Sequence, residues 1–194
     1  MMPFSVVTGR LAPLDRANVD TDQIIPKQFL KRIERTGYGR FLFHDWRRAG
    51  DFVLDRPEHR GAPILVAGAN FGCGSSREHA AWALEDAGYR VVVAPSFGDI
   101  FYANCLQVGV LPVRLAGSRV RALIALAAER PASEATVDLE SRTLTAPGLI
   151  ARFEIDAFSR RCLLNGWDAV ALALRHEEAI AAYEARRPTW MPRA

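Results

Sequence analysis

The 194-residue chain has little of what most directly advertises a site or a compartment. Cysteine is sparse: Cys73, Cys105 and Cys162 are odd in number and far apart, which argues against a disulfide framework. No Cys-x-x-Cys pair occurs. Iron–sulfur clusters draw part of their ligand set from closely spaced thiolates, so this chain is not expected to bind a cluster or other metal by itself. No Gly-Lys-Ser or Gly-Lys-Thr closes a phosphate loop. No apolar run approaches the ~18 residues of a membrane span, and no charged-then-apolar leader opens the chain. A cytoplasmic protein without a membrane partner is expected. The formal net charge is only +3, and no run of five like charges appears. The most basic stretch, residues 27–40, is interrupted by Glu34 and several apolar residues, so nucleic acid is not an expected partner. Internal repeats and low-complexity tracts are also missing.

What is present is concentrated in Gly72-Cys73-Gly74-Ser75-Ser76-Arg77-Glu78-His79. The β-branched run 63–67 ahead of it reads as a buried strand. Ala80, Ala81, Ala83 and Leu84 behind it favour helix, with Gly88 as a stop. Ser75 and Glu78 have the spacing of a capping box, which places the helix start near Ser75. Free N–H groups and the positive dipole end at such a start attract anions. Gly72 and Gly74 let a ligand approach the main chain, and the Arg77 fork matches a carboxylate. The bland alternative is a plain helix cap. A cap needs one hydroxyl and no guanidinium, whereas two serines, an arginine and flanking glycines are present. Arg77 stands where a dinucleotide fingerprint needs its third glycine, which excludes that motif. The motif therefore predicts a pocket for a small acidic molecule.

Elsewhere the pattern is that of an α/β domain. Strands are expected over residues 4–11, 90–94 and 110–115, and helices over 97–107 and 118–129. Residues 15–22 form a polar turn, and 24–40 are ambiguous because Pro26 and two glycines break any long helix. Residues 135–155 alternate around Pro147-Gly148, a hairpin pattern. From Asp156 the chain reads as helical, broken at Gly166. This gives a domain over 1–155 and a helical segment over 156–194 packed on it. Strand–helix–strand order implies parallel pairing, and the hairpin adds antiparallel strands.

Four ordered motifs together resemble a known family. Gly74-Ser75-Ser76-Arg77-Glu78-His79-Ala80 is similar to the signature of the aconitase superfamily's swivelling domain. Residues 18–30 (Asn18-Val19-Asp20-Thr21-Asp22 onward), 94–101 with Leu111-Pro112-Val113, and 153–158 with Cys162 to Gly166 resemble segments of bacterial 3-isopropylmalate dehydratase small subunits. One departure is Gly68-Ala69, where many bacterial members carry a charged pair. The resemblance implies a three-layer β/β/α swivelling domain with a mixed sheet and C-terminal helices. It implies a hydro-lyase that isomerises isopropylmalate in leucine biosynthesis and works as a heterodimer. It further implies that a [4Fe–4S] cluster, with one iron open to take the leaving hydroxyl, sits on a separate large subunit. Ser75 would then be the base, and Ser76 a ligand of the substrate carboxylate alongside Arg77 and the Gly74 main chain. Arg32, Arg35 and Arg40 fall in the family's specificity region, where one contacts the substrate's distal group. The apolar, aromatic stretch 37–43 suits an isopropyl group better than a third carboxylate. Related dehydratases of methylmalate or homoaconitate remain alternatives.

Other chemistries are open to the same residues. Cys73 between two glycines is a possible nucleophile with His79 or His44, although no third triad member is evident. Packing inside the helix is the expected role of His79. Asp20 and Asp22 read as turn and cap residues before metal ligands. A non-enzymatic anion-binding module would bind a dicarboxylate without any partner.

Overall fold

A computed structural model describes residues 1–188 and 190–191. Seven strands form one mixed sheet in the order β4-β3-β2-β1-β5-β6-β7. The first strand, β1 (Val6–Leu14), has two partners: its first half pairs antiparallel with β5 (Glu134–Asp138), and its second half pairs parallel with β2 (Ile64–Ala67). The parallel half continues through β3 (Val91–Ala94) to β4 (Leu111–Arg114). The other half is a meander of β5, β6 (Thr143–Ala146) and β7 (Leu149–Arg152), with Pro147-Gly148 at its second turn.

Every residue of β2 and β3 is buried. That follows from a parallel sheet covered on both faces, which needs continuous apolar strands. Alternate side chains serve two cores: Leu65, Ala67, Val92 and Ala94 pack toward one, and Ile64, Val66, Val91 and Val93 toward the other. The first core is roofed by α3 (Glu78–Asp86) and α4 (Asp99–Val108). Long irregular turns between residues 19 and 62 also roof it, including α1 (Thr21–Ile24) and α2 (His44–Ala49). The second core is filled by α5 (Gly117–Glu129), the inner face of the meander and Leu163 of α6 (Ala157–Asn165). The result is the expected mixed α/β layering.

Several expectations needed correction. Strand β1 starts at Val6 and runs to Leu14, later than the 4–11 read from sequence. The ambiguous 24–40 stretch holds a single 3-10 helix at Lys27–Lys31 and part of another at Gly39–Phe41. Of the C-terminal segment, α6 buries Cys162 and Leu163, but α7 (Ala169–Leu174) buries no residue, and every residue of α8 (Glu177–Arg186) is exposed. Within the described part of 156–194, α6 gives the buried side chains and Asp168, the N-cap of α7, pairs with the amino group of Met1 at 3.2 Å; the last residues of that segment lie outside the described ones.

Candidate active site

β1 and β2 are parallel neighbours, so the segments that leave their carboxyl ends lie side by side. Open α/β sheets bind ligands at such ends. Residues 68–77, between β2 and α3, are held from two directions. Toward the turn after β1, Asn18 N donates to Ala69 O at 2.8 Å and Gly72 N to Val19 O at 2.7 Å. Toward the loop after β3, Phe71 N donates to Ser96 O at 3.0 Å, and Gly98 N returns a bond to Phe71 O at 2.9 Å. Isolated bridges Asp20–Cys73 and Phe71–Phe97 carry the parallel pairing past the strands. The glycines are needed here. Gly72 has φ +72°, and a Cβ on it would collide with the ring of Phe101. Gly74 has φ +85° and turns the chain outward.

The helix does not begin at Ser75. Arg77, in extended conformation, is the N-cap of α3, no side chain caps it, and Glu78 is the first helical residue. The expected Ser75–Glu78 capping box is absent because Ser75 is tied elsewhere: its carbonyl accepts from Thr21 Oγ1 at 2.8 Å. Ser75 and Ser76 are both exposed, and their hydroxyls make no hydrogen bond among the described residues. Both hydroxyls are thus left free of structural duty. The capping box that does form belongs to α1. Asp20 accepts from Gln23 N at 2.8 Å, and Gln23 Oε1 accepts from Asp20 N at 3.0 Å.

The structure places Arg77 beside the serines but not as a free fork. Its Nη2 donates to Asp22 Oδ2 at 2.7 Å, and its Nη1 abuts Oδ1 of the same carboxylate. The side chain is mostly buried while Asp22 is half-exposed. The hydrogen bond from Arg77 leads the causes that hold the Asp22 carboxyl below its usual range, and Asp22 in turn raises Arg77. Arg77 Nε takes no partner among the described residues. Arg35 reaches the same helix start, 3.9 Å from Glu78 and over the Trp82 ring at 5.1 Å. Arg32 is occupied by Glu34 at 3.4 Å and lies over Phe41, and Arg40 also lies over Phe41. Of the three loop arginines, Arg35 alone pairs with a residue of α3.

His79 packs against Tyr38 and Trp82, with ring centroids 5.2 and 4.6 Å away, and burial lowers its pKa. His44 meets Asp45 at 3.2 Å and the edge of Phe29. Among the described residues no hydrogen bond joins Cys73 to either histidine, so the nucleophile arrangement is not assembled. The apolar 37–43 stretch is also corrected: Tyr38, Leu42 and Phe43 are 0% exposed and belong to the core. The exposed apolar group of this region is Ile33, at 97%. Sequence reasoning missed Thr21 and Asp22 as site neighbours. The signal for both was the parallel order of β1 and β2, which brings their following segments together.

Three family models match the sequence. The aconitase C-terminal domain covers residues 1–118, LeuD_N covers 121–157, and the C-terminal domain of the 3-isopropylmalate dehydratase small subunit covers 170–194. A 3-isopropylmalate dehydratase small subunit of Rubrobacter xylanophilus is 57% identical over 193 residues, covering 100% of this chain and 99% of the relative. One from Koribacter versatilis is 58% identical over 191 residues, covering 95% and 98%. Among solved structures, the 3-isopropylmalate dehydratase of Methanocaldococcus jannaschii superposes with a TM-score of 0.69 at 25% identity, over 91% of this chain and 98% of that one. With identity above half across the full length and aconitase-type matching over the part that carries the site, the chain belongs to the family of 3-isopropylmalate dehydratase small subunits.

Proposed function

We propose that this chain is the small subunit of a 3-isopropylmalate dehydratase. It interconverts 2-isopropylmalate and 3-isopropylmalate through 2-isopropylmaleate, a hydro-lyase isomerisation that serves leucine biosynthesis, and it does so only with a large subunit. One observation carries the reading. Two serines with free hydroxyls and a mostly buried arginine stand together at the carboxyl end of the sheet, in a chain 57% identical from end to end to a protein of that name.

Each residue then has a task. Arg77 binds a substrate carboxylate through its Nε side, while Asp22 holds its two terminal nitrogens. A lysine in its place would put its single ammonium on Asp22 and leave no second donor for the substrate. Ser76 and the main chain at Gly74 take the remaining carboxylate oxygens. Ser75 removes the carbon-bound proton beside that carboxylate and returns a proton on rehydration. A serine serves as a base only where cations and N–H donors stabilise its alkoxide in a dry site. Arg77 and the N–H groups of residues 74–76, which take no partner among the described residues, are such donors. Arg35 is assigned to the distal part of the substrate because it pairs with Glu78 at the start of α3, whereas Arg32 pairs with Glu34. Exposed Ile33 beside them favours an apolar side group over a third carboxylate.

A dehydratase of this family implies an iron–sulfur cluster on the large subunit. The residues of this chain do not fit one: Cys105 and Cys162 are buried, Cys73 is half-buried, and no three His, Cys, Asp or Glu side chains converge among the described residues. No step on this chain runs through the cluster.

Reconstitution tests the reading. The chain mixed with a cluster-loaded large subunit should form the unsaturated diacid from 3-isopropylmalate, with kcat/KM higher than for methylmalate or homoaconitate. Full activity of the chain alone, or a preference for either other acid, would overturn it. Tight binding of isopropylmalate by the free chain would favour the anion-binding module.

A further inference from the structure

The three residues Asp20-Thr21-Asp22 meet alternate residues of the serine loop, rung by rung. Asp20 bridges Cys73, and Thr21 N donates to Cys73 O at 3.0 Å. Thr21 Oγ1 donates to Ser75 O at 2.8 Å, and Asp22 accepts from Arg77 at 2.7 Å. Each rung is itself braced. Asp20 is fixed by the capping box with Gln23, Thr21 is 2% exposed, and Asp22 also accepts from Lys27 N at 3.1 Å.

The middle rung differs in kind from its neighbours. Among the described residues, the bond from Thr21 is the one hydrogen bond made by the main chain of residues 74–76. Gly74 at φ +85° has just released the chain from regular geometry, and the helix has not yet begun. The direction in which Ser75 projects its hydroxyl thus depends on a single side-chain hydroxyl from a neighbouring segment. Thr21 reaches past its own turn to the carbonyl of the proposed base.

From this geometry we infer that Thr21 is a positioning residue for the dehydration: it sets the aim of Ser75 and touches no substrate itself. The inference rests on the assignment of Ser75 as the base. Misplacing a reacting group by about 1 Å costs up to ~100-fold in rate, and one lost tether on a flexible loop falls within that range. Substrate binding runs mainly through Arg77, which keeps its own rung, so affinity should hardly move.

The test uses the reconstituted two-subunit enzyme with Thr21→Val, Thr21→Ser and Ser75→Ala side by side. Thr21→Val keeps shape and loses the hydroxyl. It should lower kcat by ~10-fold or more with KM changed less than ~3-fold. Thr21→Ser keeps the donor and should restore kcat to within about twofold of the parent. If Thr21→Val fails to assemble with the large subunit, Thr21→Ala against Thr21→Ser makes the same comparison of one hydroxyl. Normal turnover in Thr21→Val alongside an inactive Ser75→Ala would overturn the positioning role and leave the base assignment standing. A raised KM with kcat intact would overturn it too, placing Thr21 in binding. If Ser75→Ala itself stayed active, the base assignment would fall and the positioning role with it.

Discussion

On the proposed assignment of Ser75 as the base, Ser75→Ala separates catalysis from stability at a single atom. The hydroxyl caps nothing, so its removal should leave the melting midpoint within ~1 °C, well below the shift that a lost ~1 kcal/mol cap gives. Turnover of the reconstituted enzyme should fall by at least the ~100-fold typical of a positioned acid–base group. A large fall in melting temperature would show instead that the hydroxyl is structural. Two packed histidines give a different kind of test. Burial is the main cause that lowers both His59 and His79 below the ordinary value near 6.5. The charge of Glu58 opposes it at His59, with Arg56 and Arg10 reinforcing it; at His79, Glu78 opposes and Arg77 reinforces. As pH falls the unfolded chain takes up these protons first, so the stability they confer is complete above about 6.5 and is lost below it. Thermal melts of the free chain should therefore fall steadily from pH 7 to 5.5, and His59→Gln should flatten part of that slope. A midpoint that rises on acidification would contradict the assignment. Asp22 runs on a lower scale. Its pKa is depressed first by the Arg77 hydrogen bond, so the pair is intact at any working pH and is lost only as pH drops through the depressed value, below 3.8.

The loop between β2 and α3 is the element on which the site turns, and it shows how far sequence reading reaches. The buried strands over 63–67 and 90–94, the helices near 97–107 and 118–129, and the turn at Pro147-Gly148 were legible because apolar runs and glycine or proline stops act locally. The helix start was not. Ser75 and Glu78 carry the spacing of a capping box, yet the contact that decides the matter comes from Thr21, 54 residues away. Local spacing cannot report a tertiary competitor for the same backbone. The same limit applies to Arg77, whose partner Asp22 is remote in sequence, and to Tyr38, Leu42 and Phe43, whose apolar character fits a pocket wall as well as the core they fill. Gly72 gives the element its own prediction. Gly72→Ala combines a positive φ with a Cβ inside the Phe101 ring, and Phe101 cannot retreat easily because it packs edge-on against Phe71. Overpacking of this kind costs about 1–3 kcal/mol, and a strained φ adds to it. The urea midpoint should drop with the m-value unchanged, and an unchanged midpoint would mean that the loop is looser than its hydrogen bonds imply.

At the scale of the molecule, a well-packed double core carries an open site. Stability is concentrated in the sheet and in α3 to α6, whereas α8 has every residue exposed. Ten helical residues alone are marginal in water. Ending the chain after Arg175 should therefore shift the melting midpoint by less than ~2 °C, about the change that half a kcal/mol makes in a chain this long. A larger loss would reveal packing by the C-terminal helices that burial does not show. The open site has a sharper consequence. Ser75 and Ser76 stand in solvent, and in water a serine hydroxyl is a very weak base. On the proposed mechanism, Arg77 and the N–H groups of residues 74–76, without a partner among the described residues, lower the cost of the alkoxide only once water is displaced, since their field is screened until then. The chain alone can therefore hold the right groups in the right places and still do no chemistry. Activity should appear only on mixing with the large subunit and should rise with partner concentration to a plateau. Amide hydrogen exchange over residues 72–77 should slow over the same concentration range if, as proposed, covering the loop and switching on Ser75 are one event. Activity that saturates while this loop stays as exchangeable as in the free chain would mean that the partner acts somewhere other than on Ser75.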